Sequence, residues 1–254
     1  MRRPPSRDFS YAFGPGPLSP AIKALVITNV VMFVVVNFLL PAEIATEVVN
    51  VAGLRPSDVA QHGWVWQLVT YMFLHGGIAH ILFNMLALWM FGTDLERLWG
   101  TPAFVRYYFA TGVAAAVTTI LVSLIPLAST ALTFHAVTIG ASGAIYGLLL
   151  AYGLTFPDRV LLMFMVFPVP AKYAVMIMGG IEFLLSTGNS GGIAHVTHLG
   201  GLAAGYALLR GRRLRLSPAG EVRYRYLRWK MDRARKKFGV YSGGRKDDWD
   251  KHVH

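Results

Sequence analysis

Ser142 stands in I-G-A-S-G-A-I-Y, residues 139 to 146, among small residues at the head of an apolar run. A serine hydroxyl becomes a working nucleophile when a neighbouring base takes its proton, and histidine is the commonest such base. Two distant stretches carry histidines that could serve: L-H-G-G-I-A-H-I-L-F-N from Leu74 to Asn84, and A-H-V-T-H-L-G-G-L-A-A-G from Ala194 to Gly205. G-x-S-G alone is a weak signal, because small residues also cluster wherever membrane helices pack closely. Its weight comes from the other two stretches. Ser142 with His198 supplies nucleophile and general base, the minimum for covalent acyl transfer. The tetrahedral intermediate then needs donors for its oxyanion. His80 and Asn84 are four residues apart on one helix face, so both can point to one place, and the N–H of Ser142 would complete the hole. Tyr146, one turn below Ser142, is placed to support the imidazole by stacking. His75 is a weaker candidate that more naturally shapes the loop, and His135 and His195 read as buried, hydrogen-bonded groups. Glu182 falls in a different apolar segment from these stretches, so the expected site is a dyad and not a triad. No metal is expected: the histidines lack H-E-x-x-H spacing.

These residues sit in a chain of 254 residues that is 54% hydrophobic and 15% charged, with a mean hydropathy of +0.47. An ordinary soluble domain carries roughly a quarter charged residues. With no cysteine, neither a disulfide frame nor a thiolate site is available. The net charge of +11 is not spread over a surface as nucleic-acid binding would need, and no nucleic-acid partner is expected. Fifteen of the 24 Lys and Arg lie from Arg210 onward, the pattern of a cytoplasmic stop after a last membrane span.

The expected fold is all-α, a polytopic bundle of six transmembrane helices in which the fourth is short. Residues 1–20 read as a disordered cytoplasmic arm, 21–210 as the six-helix core and 211–254 as a basic cytoplasmic tail. Ala21 to Leu40 is long enough to cross a bilayer and ends at Pro41. Residues 41–66 form a loop that could hold short interfacial helices. Further helices are expected from Ile78 toward Leu98, Ala103 to Ile125, Ser142 to Phe156, Lys172 to Ser186 and Ile193 to Leu209. Pro168 and Pro170 rule out a straight helix across 160–169, which reads as an interfacial segment. With six spans, Arg55 alone among the basic residues falls on the outer side, so both termini are cytoplasmic. The absence of an Arg-rich, acid-poor amphipathic leader favours a bacterial plasma membrane over an organelle.

Depth then tests the site. At 1.5 Å of rise per residue, counting up from Asp94, Asp158 and Arg210 puts His80, Ser142 and His198 roughly 21, 24 and 18 Å above the cytoplasmic boundary. All three reach the outer half of a core about 30 Å thick. Gly143 and Gly147, and Gly201 and Gly205, have the spacing that lets two helix backbones approach closely.

Taken together, the three motifs resemble those of the rhomboid family of intramembrane serine proteases, in its basic six-helix form and over roughly residues 20–210. The resemblance implies Ser142 as nucleophile, His198 as base, His80 and Asn84 as oxyanion donors and Gly201 behind the dyad. It further implies cleavage of transmembrane protein substrates near their outer ends without metal or cofactor, and the helix at 172–186 as a lateral gate. Where family members often carry Trp-Arg, this chain has Trp66-Gln67. The alternatives are a catalytically inactive, rhomboid-like binding protein and, further off, a transporter, for which the intramembrane Glu182 would speak but internal repeats are lacking. The aromatic and basic tail, Pro218 to Lys237, could lie on anionic lipid as an interfacial helix or be a solvated basic tail.

Overall fold

The computed structural model describes residues 14–125, 133–163, 166–186 and 193–214. The chain up to Leu209 forms one compact unit; a second begins at Arg210, and the tail from 215, like residues 1–13, lies outside the described residues.

Helix α1, Pro20–Val34, starts with proline in its first turn and runs on through a π-helical turn, Val35–Leu39. Leu40 then turns extended, as a residue before proline must to avoid the ring of Pro41. Three short helices follow: α2 Ala42–Ala52, α3 Pro56–His62 and α4 Gln67–Thr70. Helix α5, Ile78–Ala87, continues through a π-helical turn, Leu88–Gly92, into α6, Thr93–Trp99. Gly100 breaks the run at φ 79° and Pro102 helps to open α7, Thr101–Ser123. Helix α8 is short, Ser142–Thr155. Strands β1, Val160–Met163, and β2, Phe167–Pro170, pair antiparallel, with Val160 opposite Pro170 and Met163 opposite Phe167. Helices α9, Ala171–Ser186, and α10, Ile193–Leu214, complete the described chain.

Two expectations need correction. The fold is mostly helical but not all-α, because 160–170 is a hairpin. Both strands are edges, where a proline without an N–H costs no ladder bond. Helix α10 also runs past Leu209 to Leu214, since arginine and leucine are good helix formers. Residues 187–192 and half of the stretch 127–138 lie outside the described residues.

Side-chain pairings give the sense of each helix. Ser19 and Ala21 meet Glu96 while Asn37 meets the carbonyl of His75, so α1 is antiparallel to α5–α6. Tyr107 reaches Gly147 and a Cβ on Gly143 would press on Ala115, so α7 is antiparallel to α8. Gly201 abuts Gly143 and Gly205 abuts Gly147, so α8 and α10 run in the same direction. Phe91 packs on Tyr152, and Asp94 pairs with Arg159, which gives α5–α6 that direction as well.

Polarity is arranged inside out relative to a soluble protein. Met176 is 70% exposed, Leu184 69%, Phe38 64% and Phe83 64%, whereas Asn29, Gln67 and Thr111 are fully buried. Three helical runs, Pro20–Leu39, Ile78–Trp99 and Thr101–Ser123, are long and apolar enough to cross a bilayer. Lipid satisfies apolar side chains but no polar group, so the polar ones turn inward and bond to the helix backbone. Asn29 Nδ2 donates to Leu25 O at 2.8 Å, and Thr111 Oγ1 to Tyr107 O at 2.9 Å. With its apolar helices the chain is an integral membrane protein.

Buried Glu96 ties one end of the bundle. Its carboxylate accepts from Ser19 Oγ, from the N–H groups of Ala21 (2.9 Å) and Ile22 (3.2 Å) and from Thr101 Oγ1 (2.7 Å). It thereby caps the N-terminus of α1, where a negative charge is favoured. Glu96→Ala is expected to destabilise the protein by about 3 kcal/mol, the scale of lost charge-assisted bonds to buried donors. Thermal unfolding in detergent would read this as a lowered midpoint.

Candidate active site

The backbone leading to Ser142 is held by the loop that precedes α5. Leu54 and Thr138 exchange both backbone bonds, at 2.9 and 2.8 Å, and Gly140 N–H donates to Tyr71 O at 2.8 Å. Gly140 has φ 120°, which only glycine takes without strain, and a Cβ there would stand 2.6 Å from His80 Nε2. Gln67 in turn organises the loop. Its Oε1 accepts from Arg55 N at 3.0 Å and its Nε2 donates to Asn50 O and Val51 O at 3.3 Å. Thr70 Oγ1 donates to Ala52 O at 2.7 Å and Trp66 Nε1 to Val51 O at 2.9 Å. A neutral, fully buried amide thus performs this bracing.

Ser142 opens α8, so its N–H is among the first-turn donors that no preceding helical carbonyl can satisfy. Its Oγ lies 2.7 Å from His198 Nε2 on α10. Glycines make that distance possible: a Cβ on Gly201 would overlap the carbonyl oxygen of Gly143, and one on Gly205 would stand 3.1 Å from Gly147 Cα. Thr119 and Thr197, Oγ1 to Oγ1 at 2.7 Å, pin α10 to α7 one residue before His198. The Tyr146 ring stacks on the His198 ring with centroids 4.3 Å apart and planes 13° from parallel.

On α5, His80 and Asn84 both face Gly140, two residues before Ser142. Asn84 is buried, and its Nδ2 has no hydrogen-bond partner among the described residues. His75 is buried with its ring edge-on to His80 at 4.9 Å. The seven residues singled out from the sequence are therefore gathered around the start of α8. His135 is exposed, with Phe134 edge-on at 5.0 Å, and takes no part.

The carboxylate that the sequence placed in a different apolar segment stands at the site. Glu182 on α9 is 7% exposed, and its Oε2 lies 3.0 Å from His198 Nδ1 and 2.6 Å from His195 Nδ1. Tyr146 OH donates to its Oε1. The dyad expectation set Glu182 aside because it lies on a different helix from Ser142 and His198. An acidic residue within an apolar helix was itself the signal, but nothing in its spacing says which histidine it meets.

Glu182, His195 and His198 offer three donor atoms within 4.8 Å of one another. Around a tetrahedral zinc with bonds of about 2.05 Å, ligand atoms stand roughly 3.3 Å apart. The separations from Glu182 Oε2, 2.6 Å to His195 Nδ1 and 3.0 Å to His198 Nδ1, are shorter than that.

The rhomboid domain profile matches residues 62–213, the segment that carries every one of these side chains. The chain is 32% identical over 163 residues to rhomboid protease GluP of Bacillus subtilis, covering 63% of this chain and 29% of that protein. It is 32% identical over 163 residues to mitochondrial rhomboid protein 1 of Saccharomyces cerevisiae, covering 58% and 44%. With rhomboid-like protease 1 of Toxoplasma gondii it shares 26% over 219 residues, covering 82% and 68%. It thus spans less than half of the length of each of the first two relatives, while the rhomboid domain covers residues 62–213 of this chain. On the match of that domain to more than half of its length, the chain belongs to the rhomboid family.

Proposed function

We propose that this protein is an intramembrane serine endopeptidase that hydrolyses a peptide bond in or near a transmembrane segment of other membrane proteins. The observation that carries the reading is the 2.7 Å approach of His198 Nε2 to Ser142 Oγ at the head of α8. Ser142 Oγ gives its proton to His198 Nε2 as it attacks the scissile carbonyl, and the new oxyanion is met by Ser142 N–H, His80 and Asn84. His198 then passes the proton to the leaving amine, whose C–N bond breaks to leave an acyl-Ser142. Water, deprotonated by His198, hydrolyses that ester and restores the serine. His75 and Gly201 support the arrangement, His75 through the loop at 74–77 and Gly201 by letting α10 close on α8. The steps use the chain's own groups and water, without metal or cofactor.

The six-span arrangement belongs to the same proposal, with α5–α6, α8 and α10 running from the outer face to the cytoplasm and both termini cytoplasmic. A bacterial plasma membrane is the proposed setting, with anionic lipid against the tail. The names of the relatives support the protease reading. Glu182, the residue a transporter reading would lean on, is engaged by Tyr146 and His195.

A fluorophosphonate probe, which forms an ester with an activated serine, is expected to label the detergent-solubilised protein at Ser142 and to label His198→Ala at no more than background. Labelling elsewhere, or full labelling of His198→Ala, would overturn the dyad. An inactive binding protein would label with neither. For the oxyanion hole, Asn84→Ala is expected to lower kcat on a transmembrane reporter about a hundredfold with KM little changed, the cost of losing one preorganised donor.

A further inference from the structure

We propose that Glu182 is the positioning residue of this site, a buried carboxylate that holds His198 in the tautomer able to take the Ser142 proton. The inference deepens the protease reading and rests on it. Its ground is the chain of contacts from α9 to α8. Glu182 Oε2 faces His198 Nδ1 at 3.0 Å, and on the far side of the same ring Nε2 faces Ser142 Oγ at 2.7 Å. An ionised carboxylate can only accept. Facing one, His198 carries its hydrogen on Nδ1, which leaves the Nε2 lone pair for the serine.

The carboxylate has a second hold on the ring. Tyr146, stacked on His198 at 4.3 Å, donates through its OH to Oε1. One side chain therefore fixes both the base and the ring that lies against it. His195 Nδ1, at 2.6 Å, shares Oε2 with His198. The His195 contact meets hydrogen-bond geometry, while His198 Nδ1 is near but out of line. Between turnovers His195 thus takes the straighter bond, and Oε2 stays 3.0 Å from the ring that becomes an imidazolium when Ser142 attacks. A negative charge on the far side of the base opposes that developing positive charge, as the acid of a Ser-His-Asp triad does. Burying a carboxylate within apolar helices is costly unless partners surround it. Here those partners are the catalytic ring, its stacking neighbour and one further histidine. The groups facing His198 are thus Ser142 and Tyr146 from α8, Glu182 from α9, His195 from its own helix and, on the α5 side, His80.

The decisive comparison is Glu182→Gln, which keeps the shape and an acceptor oxygen but removes the charge, against wild type, Ser142→Ala and His198→Ala in the same detergent. Expected is a 10- to 100-fold fall in kcat for Glu182→Gln with KM within twofold, a matching fall in the rate of fluorophosphonate labelling, and partial recovery in Glu182→Asp. A residue that only packs α9 would change KM or thermal midpoint and leave kcat of the folded fraction alone. A wild-type kcat in Glu182→Gln would overturn the inference. A second measurement needs no change at Glu182: nitrogen-15 shifts of the histidine rings in the full-length protein, with His198 assigned by its loss in His198→Ala. His198 is expected as the Nδ1–H tautomer, and an Nε2–H ring would equally overturn it. If Ser142→Ala or His198→Ala still cleaves, the protease reading itself fails. If both are dead while Glu182→Gln turns over normally, only the role of Glu182 falls.

Discussion

Ser142→Ala is expected to abolish cleavage of a transmembrane reporter, with kcat falling by at least about a thousandfold and by as much as a millionfold, the range seen when a covalent nucleophile is removed from an otherwise intact site. The substitution removes one oxygen at the first residue of a helix, and alanine is the best helix former. The fold should therefore survive, and thermal midpoints of wild type and variant should agree within a few degrees. That separation of activity from stability is what makes the result informative. His198→Ala should be as inactive, and the double variant no worse than either single one, because the two groups act as a unit in one proton transfer. Reporter cleavage in the presence of a chelator, followed by gel and mass spectrometry, measures all three. Residual cleavage by Ser142→Ala at more than about a hundredth of wild type would mean that another group makes the attack.

Gly201→Ala is expected to have the largest effect of any single methyl group added to the protein. A Cβ at Gly201 would overlap the carbonyl oxygen of Gly143 and stand 2.9 Å from its carbon. The obstacle is backbone at the first turn of α8 and has no rotamer by which to yield. Helices α8 and α10 must then separate, at a cost of about 3 kcal/mol, the upper end for overpacked sites. The same separation would stretch the contact between His198 Nε2 and Ser142 Oγ, since Gly143 and Ser142 are adjacent, as are the turns bearing Gly201 and His198. Reactions of this kind lose about a hundredfold when a group is misplaced by 1 Å, so activity should fall further than stability alone would predict. Gly180 is the control. It lies on the exposed face of α9 with nothing within 4 Å of its would-be Cβ, so Gly180→Ala should leave cleavage unchanged and stabilise slightly, by up to about 1 kcal/mol of helix propensity. Equal effects at the two glycines would mean that close helix contact is not what Gly201 provides.

Much of this molecule follows from local rules. The limits of α1, α5, α7 and α8 are set by Pro20, Pro41, Gly77, Gly100 with Pro102, and Gly140, residues whose allowed backbone angles are fixed by sterics within a few neighbours. The four-residue spacing of Gly143–Gly147 and of Gly201–Gly205 marks the two faces that meet, because only small side chains admit that approach. The grouping of Ser142, His198, His80 and Asn84 is legible for a further reason: a helix has a constant rise, so distance from the charged end of each segment translates into depth.

Other features have no local signature. The hairpin at 160–170 is written only as prolines that forbid a helix, and nothing in them says that Val160–Met163 pairs with Phe167–Pro170. The stretch from 41 to 66 looks like a passive connection, yet its Leu54 holds the backbone before Ser142 in place, through bonds to Thr138, about 80 residues away, and Gln67 braces Arg55 beside it.

By itself the sequence determined the apolar segments, their breaks, the glycine faces and the residues able to do chemistry, because each of these depends on side-chain type and on spacing within one helix. The tertiary structure alone decided that Glu182 stands beside His198, that His195 and Tyr146 share its carboxylate, and that Asn84 keeps a buried amide without a partner among the described residues. Those depend on the rotation of one helix against another, and that angle is set by the packing of every side chain along the contact.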